Sequence, residues 1–81
     1  MNDSILAEVA LYPLREADIG PILLDFVARL REAGLEVKPG PMSTLVKGPR
    51  GEVFAALEAA FAAAGEQRQV VLRLTVTNAK P

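Results

Sequence analysis

The residues of this sequence that could bind a ligand lie in two short segments. Glu8 and Tyr12 belong to the first segment, and Ser43 with Thr44 follows a Pro-Gly-Pro turn in the second. A carboxylate can neutralise a cationic ligand, and an aromatic ring can stack on a flat heterocycle. Hydroxyl groups can hydrogen-bond to the ring nitrogen atoms of such a ligand. These residue types could therefore bind a small polar heterocycle.

Each of these residues also has a structural interpretation. Glu8 can form a cross-strand pair with Arg73 on an exposed sheet face, and Tyr12 can pack in an interface. Ser43 and Thr44 can be ordinary strand residues. As neighbours on a strand, they are expected to point to opposite faces, so only one of them would line a given pocket. Both interpretations stay open at this point.

The composition excludes several classes of chemistry. The chain has no cysteine and no histidine, which removes disulfides, thiolate and imidazole metal ligands and Ser/His/Asp triads. No pattern in the sequence brings two carboxylates together as an acid/base pair. We therefore predict no catalytic residues, no metal site and no cofactor, and we expect a protein that is not an enzyme.

The charge balance and the chain ends limit the partners. Nine basic and ten acidic residues give a net charge of −1, without a block of either sign, which disfavours nucleic-acid binding. Asp3 lies where a secretory signal would carry positive charge, and no apolar run approaches the roughly 18 residues that cross a bilayer. We expect a soluble cytoplasmic protein without membrane contact.

Hydrophobic periodicity predicts four strands and two helices that position these residues. Asp18 is expected to cap the first helix and Gly34 to end it, and Gly65 is expected to end the second. The predicted strands are residues 5–14, 35–38, 42–47 and 69–77, with helices over 19–33 and between Gly51 and Gly65. The order βαββαβ predicts a ferredoxin-like α+β sandwich, in which two helices cover one face of a four-stranded antiparallel sheet.

The expected core consists of the apolar faces of these elements. In the first strand it comprises Ile5, Ala7, Val9 and Leu11. The helical stripes are Ile19, Leu23, Phe26, Val27 and Leu30, then Val53, Leu57, Ala60, Phe61 and Ala64.

The second face of the predicted sheet has no helix to cover it. It is expected to carry Leu6, Ala10, Tyr12 and Val71 beside Glu8, Arg73 and Thr75, which is an apolar surface for a small domain. We expect the 81 residues to form one domain, residues 1–81, that buries only roughly 60% of its surface on folding. Both arguments predict a homo-oligomer, either a dimer or a tetramer.

Three stretches carry a resemblance to a known family. They are residues 8–14 (EVALYPL), the segment from Gly34-Leu35 to Pro39-Gly40-Pro41-Met42-Ser43-Thr44, and Gly48 with residues 51–57 (GEVFAAL). In order and spacing they resemble the thiamine/hydroxymethylpyrimidine-binding YkoF-like family. The resemblance implies a ferredoxin-like fold that binds thiamine or its pyrimidine moiety without transforming it.

The resemblance also implies where the ligand would bind. It places a pocket near Met42-Ser43-Thr44, with Ser43 or Thr44 as hydroxyl contacts and with Tyr12 and Glu8 contributed by the neighbouring strand. The namesake carries two such domains in one chain, so a single domain implies self-association. The alternative function is a structural or regulatory interaction module of the same fold, which would assemble through its open sheet face without a ligand.

Overall fold

The structure, a computed structural model, describes residues 3–79 as six elements in the predicted order. They are β1 (Ser4–Pro13), α1 (Gly20–Glu32), β2 (Glu36–Pro39), β3 (Thr44–Pro49), α2 (Arg50–Ala64) and β4 (Val70–Thr77). The strands form one antiparallel sheet in the order β2-β3-β1-β4. The ferredoxin-like prediction is therefore confirmed.

The register of the sheet decides which residues are neighbours. Glu8 lies opposite Leu45 on one side and Thr75 on the other, while Arg73 lies opposite Ala10. Because side chains alternate along a strand, residues directly opposite each other point to the same face. Glu8 and Arg73 therefore share the open face, as predicted, but they are diagonal neighbours and not a directly opposed pair.

The core lies between the sheet and the helices. The four predicted core residues of β1 are all buried, and Val46 of β3 is completely covered. Among residues 3–79, the buried apolar residues are Ile5, Ala7, Val9, Leu11, Phe26, Leu30, Leu35, Val46, Val53, Leu57, Ala60 and Ala64. At Gly48 the packing is so close that an added Cβ would lie 2.7 Å from Cδ2 of Leu35, which explains a glycine inside a strand.

Element ends differ from the predicted ones by one or two residues. Helix α1 begins at Gly20, and the Asp18 carboxylate accepts the Gly20 N–H at 3.1 Å, one residue earlier than a cap position. Gly34 ends this helix region with a φ of 86°, as predicted. Strand β3 covers 44–49 and not 42–47, because Met42 and Ser43 belong to the turn.

Some predicted core residues are exposed. Ile19 precedes α1 and is 42% exposed, and Phe61 is 41% exposed although it follows the apolar period of α2. Phe61 faces the outer edge of the sheet, where β4 has no neighbouring strand to extend the cover. The result is an apolar α2–β4 groove, lined by Phe54, Leu57, Glu58, Phe61, Leu72 and Leu74. No helix within residues 3–79 is long and apolar enough to span a lipid bilayer.

Candidate functional site

Several polar residues of the open face lie near the place where β1 extends beyond the end of β3. Pairing between β1 and β3 ends at Val9 and Thr44, but β1 continues to Pro13. Residues 40–43 form a turn opposite this extension, and the Gly40 N–H closes the turn by donating to the Ser43 carbonyl at 2.9 Å. Pro41 within the turn and Pro39 directly before it limit the backbone freedom of this segment. It therefore holds Met42 and Ser43 beside β1 in a restricted conformation.

A direct contact joins the two segments singled out in the sequence. The Ser43 hydroxyl donates a hydrogen bond of 3.1 Å to Oε2 of Glu8. Hydrogen bonds to an ionised acceptor are stronger than neutral ones, so this contact fixes the carboxylate relative to the turn. No ion pair joins Glu8 to Arg73 within the described part of the chain. The cross-strand pair considered for Glu8 is therefore wrong: its carboxylate accepts a hydrogen bond from Ser43 and forms no ion pair with Arg73.

This contact lies in a shallow cavity on the open face, with a volume of about 170 Å³. We call it the open-face cavity; it is lined by Glu8, Val9, Ala10, Tyr12, Met42, Ser43, Arg73 and Thr75. Four of the five predicted site residues thus come together: Glu8, Tyr12, Met42 and Ser43. The cavity holds one carboxylate and one guanidinium, so its electrostatic character is mixed.

Thr44, the fifth predicted residue, lies on the other side of the sheet. It is opposite the buried Val9, so its half-buried side chain shares the helix-covered face. There it lines a second cavity of about 210 Å³, which we call the notch cavity. Its lining is Val9, Ala10, Leu11, Tyr12, Ile19, Leu23, Phe26, Val27 and the residues of 40–44.

The two cavities adjoin at the end of the sheet. Both are lined by Val9, Ala10, Tyr12, Met42 and Ser43. The expectation that only one of Ser43 and Thr44 would line a given pocket is wrong, because both line the notch cavity. Ser43 lies in the turn before β3 begins, where strict strand alternation does not apply.

Arg73 and Thr75 line the open-face cavity but were not predicted as site residues. Alternation along β4 had already placed both on the face that carries Glu8, so a signal was present. Alternation alone does not give the strand register, which sets Arg73 opposite Ala10 and Thr75 opposite Glu8. Two residues that seem ordinary along the strand thereby become neighbours of the carboxylate.

Apart from Glu8 and Arg73, the charged residues of the described part of the chain lie outside these two cavities. Across residues 3–79 no three acidic side chains are grouped so that they could hold a metal ion. On α1, a hydrogen bond of 2.8 Å to Asp25, together with the charge of that carboxylate, raises the pKa of Arg29. Neither residue lines the open-face or the notch cavity.

Comparison with solved structures finds the same fold in proteins of low sequence identity. A hypothetical protein from Methanocaldococcus jannascii is 22% identical, with a TM-score of 0.88 over 96% of this chain and 82% of that one. A Thermotoga maritima protein provisionally assigned to thiamine biosynthesis or salvage is 16% identical, with a TM-score of 0.80 over 90% and 81%. A Bacillus cereus domain of unknown function is 13% identical, with a TM-score of 0.83 over 98% and 79%.

Comparison by sequence identifies the family. A search of curated proteins finds no match. The family model described as thiamine-binding protein, however, matches residues 7–80, which include both helices, β2, β3 and β4, and β1 from Ala7 onward. The chain therefore belongs to the thiamine-binding protein family.

Proposed function

We propose that this protein binds thiamine or its hydroxymethylpyrimidine moiety at the end of the sheet, without transforming it. The observation that carries the proposal is the Ser43–Glu8 hydrogen bond inside the open-face cavity. It orients a carboxylate at a concave surface that Tyr12 also lines. Membership of the thiamine-binding protein family supports the choice of ligand.

The chemistry of thiamine matches these groups. The thiazolium ring carries a permanent positive charge, which the Glu8 carboxylate would meet. Ser43 donates its only hydroxyl proton to Glu8, so the oxygen of Ser43 keeps lone pairs that can accept a hydrogen bond from the ligand. The ring of Tyr12, 43% exposed, offers a face for stacking or for a cation–π contact.

The composition of the cavities supports binding over catalysis. Among the described residues that line the two cavities, Glu8 is the one carboxylate. The lining therefore does not offer a pair of carboxylates that could divide the general acid and general base roles. The α2–β4 groove is larger, about 440 Å³, but Glu58 is its one charged lining residue. It lacks the convergent polar groups of a small-molecule site.

A second subunit would complete the site. The open-face and notch cavities have volumes of about 170 and 210 Å³, below the roughly 300 Å³ at which drug-sized ligand sites begin. Beside them, the apolar residues Leu6, Tyr12, Leu45 and Val71 are each between 39% and 45% exposed on the same face. We propose a homo-oligomer, a dimer or tetramer, in which a second copy covers this face and encloses the ligand.

Calorimetric titration with thiamine and with hydroxymethylpyrimidine tests the proposal. Both ligands are expected to bind the wild type, and Glu8→Gln is expected to weaken thiamine about tenfold more than the uncharged pyrimidine. Glu36→Gln is the matched control, because Glu36 is an exposed residue of β2 that lines neither cavity.

Different titration results would contradict different parts of the proposed function. Equal losses of affinity for the two ligands would remove Glu8 from charge recognition. No binding of either ligand by the wild type would refute the proposed function. If the protein then still self-associates, the apolar open face favours the second candidate, an interaction module that assembles without a ligand.

A further inference from the structure

The extension of β1 beyond β3 leaves one side of that strand without a partner strand. Residues 10–13 of β1 remain paired with β4, but their other side faces the turn of residues 40–43. We call this gap between β1 and the turn the notch. The notch cavity occupies it, with Leu11 of β1 and Gly40, Pro41 and Met42 of the turn among the lining residues.

The hydrogen-bond pattern fixes which backbone groups point into the notch. In an antiparallel ladder, residues along a strand direct their N–H and C=O alternately to one neighbour and then to the other. The Leu14 N–H donates to the Gln69 carbonyl at 2.9 Å, so even-numbered residues of β1 bond towards β4. The Arg50 N–H donates to the Asp3 carbonyl, so odd-numbered residues bond towards β3.

Leu11 and Pro13 are the odd-numbered residues of β1 beyond the end of β3, and of these two only Leu11 has a backbone N–H as well as a C=O. The N–H and C=O of Leu11 therefore point towards the turn. On the other side of β1, Leu11 and Leu72 of β4 form a pair that is not joined by backbone hydrogen bonds. Within residues 3–79, no backbone hydrogen bond joins Leu11 to the turn. Leu11 is only 7% exposed, and backbone groups in such surroundings are rarely left without a partner.

We propose that the backbone N–H and C=O of Leu11 bind the aminopyrimidine ring of the ligand. This assignment rests on the proposed function and specifies which groups of the protein recognise the aminopyrimidine ring. An aminopyrimidine has an acceptor nitrogen in the ring next to an exocyclic amino donor. The peptide groups of one extended residue offer the complementary pair, a donor beside an acceptor. The flat ring would take the place in the sheet that a further residue of β3 would occupy.

The surroundings of the notch suit such a ring. Phe26, which is buried, and the half-buried Leu23 provide apolar cover from α1. The volume of about 210 Å³ accommodates one heterocycle better than a complete thiamine. Because Tyr12 and Ser43 line both cavities, the remainder of the ligand would extend from the notch into the open-face cavity, where Glu8 lies.

Amide hydrogen exchange measured by NMR tests the assignment. Thiamine is expected to slow exchange of the Leu11 amide at least about tenfold more than exchange of the Val9 amide. Val9 is the control because it is opposite Thr44 and already paired, so its exchange reports only overall stabilisation.

Two thiamine analogues extend the test. In oxythiamine an oxo group replaces the amino group and the adjacent ring nitrogen carries hydrogen, so donor and acceptor exchange places. It would set donor against donor and acceptor against acceptor at Leu11, and its affinity is expected to be about a hundredfold lower than that of thiamine. Pyrithiamine keeps the aminopyrimidine and replaces only the thiazolium by another cationic ring, so it is expected to protect Leu11 as thiamine does.

The outcomes separate this assignment from the proposed function. If thiamine binds but leaves the Leu11 amide unprotected, or if oxythiamine binds equally well, the backbone assignment is overturned and the proposed function stands. If neither thiamine nor hydroxymethylpyrimidine binds, the proposed function is refuted and the assignment with it.

Discussion

Strand β1 presents two different surfaces to the two sides of the sheet. Towards the helices it contributes apolar side chains, and Ile5, Ala7, Val9 and Leu11 among them are buried. On the open face its apolar residues stand beside the charged Glu8, close to Arg73 of β4. The covered face thus resembles any small-protein core, and the open face combines exposed apolar area with polar groups. Neighbouring residues of one strand therefore have separable roles in stability and in recognition.

The largest expected effect compares two adjacent residues of β3, Val46 and Leu45, which lie on opposite faces of the sheet. Val46→Asp would bury an unpaired charge at a completely covered position, which costs several kcal/mol, comparable to the whole stability of a small domain. We expect it to prevent folding, whereas Leu45→Asp, on the open face, should keep native circular dichroism. Equal loss of structure in both variants, measured at high protein concentration, would show that the open face is part of the core.

The next effect concerns assembly through the open face. Leu6 is 40% exposed and lines neither cavity, so Leu6→Asp introduces a charge into the proposed interface without changing the candidate site. We expect it to convert the oligomer to a monomer in light-scattering measurements. Leu24→Asp, at a 73% exposed position of α1, is the matched control and should leave the assembly unchanged. If Leu6→Asp assembles like wild type, another surface holds the subunits together.

A smaller effect is expected for Thr44, which lies on the helix-covered face of the sheet. Thr44 is the residue of that face with a hydroxyl group in the notch cavity. Thr44→Val keeps the shape and the strand propensity, so the melting temperature should be retained while ligand binding weakens by about 1 kcal/mol. Thr77→Val, at the exposed end of β4, should change neither quantity. Unchanged calorimetric affinity in Thr44→Val would exclude its hydroxyl from the site.

The smallest effect concerns the cation of the open face. Arg73 lines the cavity with Glu8 and would repel a thiazolium but attract a phosphate. Because exposed charge pairs contribute about 1 kcal/mol at most, we expect thiamine monophosphate to bind only a few times more tightly than thiamine. Arg73→Gln should abolish that difference, as should high salt, whereas Arg31→Gln on α1 should preserve it. A preference that persists without Arg73 would place the phosphate elsewhere.

Patterns local to one element were predictable from the sequence. Alternation in β1 identified its four core residues, and Gly34 was correctly expected in the left-handed region. The period of α2 also placed Phe61 towards the sheet, but periodicity gives only the direction of a side chain. Whether other residues cover that side chain depends on the order of the strands in the sheet. This order leaves β4 at the edge and Phe61 exposed.

The candidate site was predictable only in part, for a related reason. Residue types and the family resemblance brought forward Glu8, Tyr12 and Ser43, and the structure places these three together. The backbone N–H and C=O of Leu11 that point into the notch cannot be predicted from the type of its side chain. They arise because β1 is longer than the stretch of β3 that pairs with it, and that mismatch exists only once the strands are in register.

The edge position of β4 gives Arg73 a consequence beyond ligand recognition. The strand reads Val-Val-Leu-Arg-Leu-Thr-Val-Thr, so Arg73 is its single charge in an otherwise aggregation-prone segment with one side open to other chains. Charges in such strands act as gatekeepers against fibre-like stacking between molecules. Exchanging this arginine for a neutral residue better suited to a cationic ligand would therefore remove the one charge of the edge strand. Protection of the edge strand and binding of a cation thus place opposite demands on the charge at position 73.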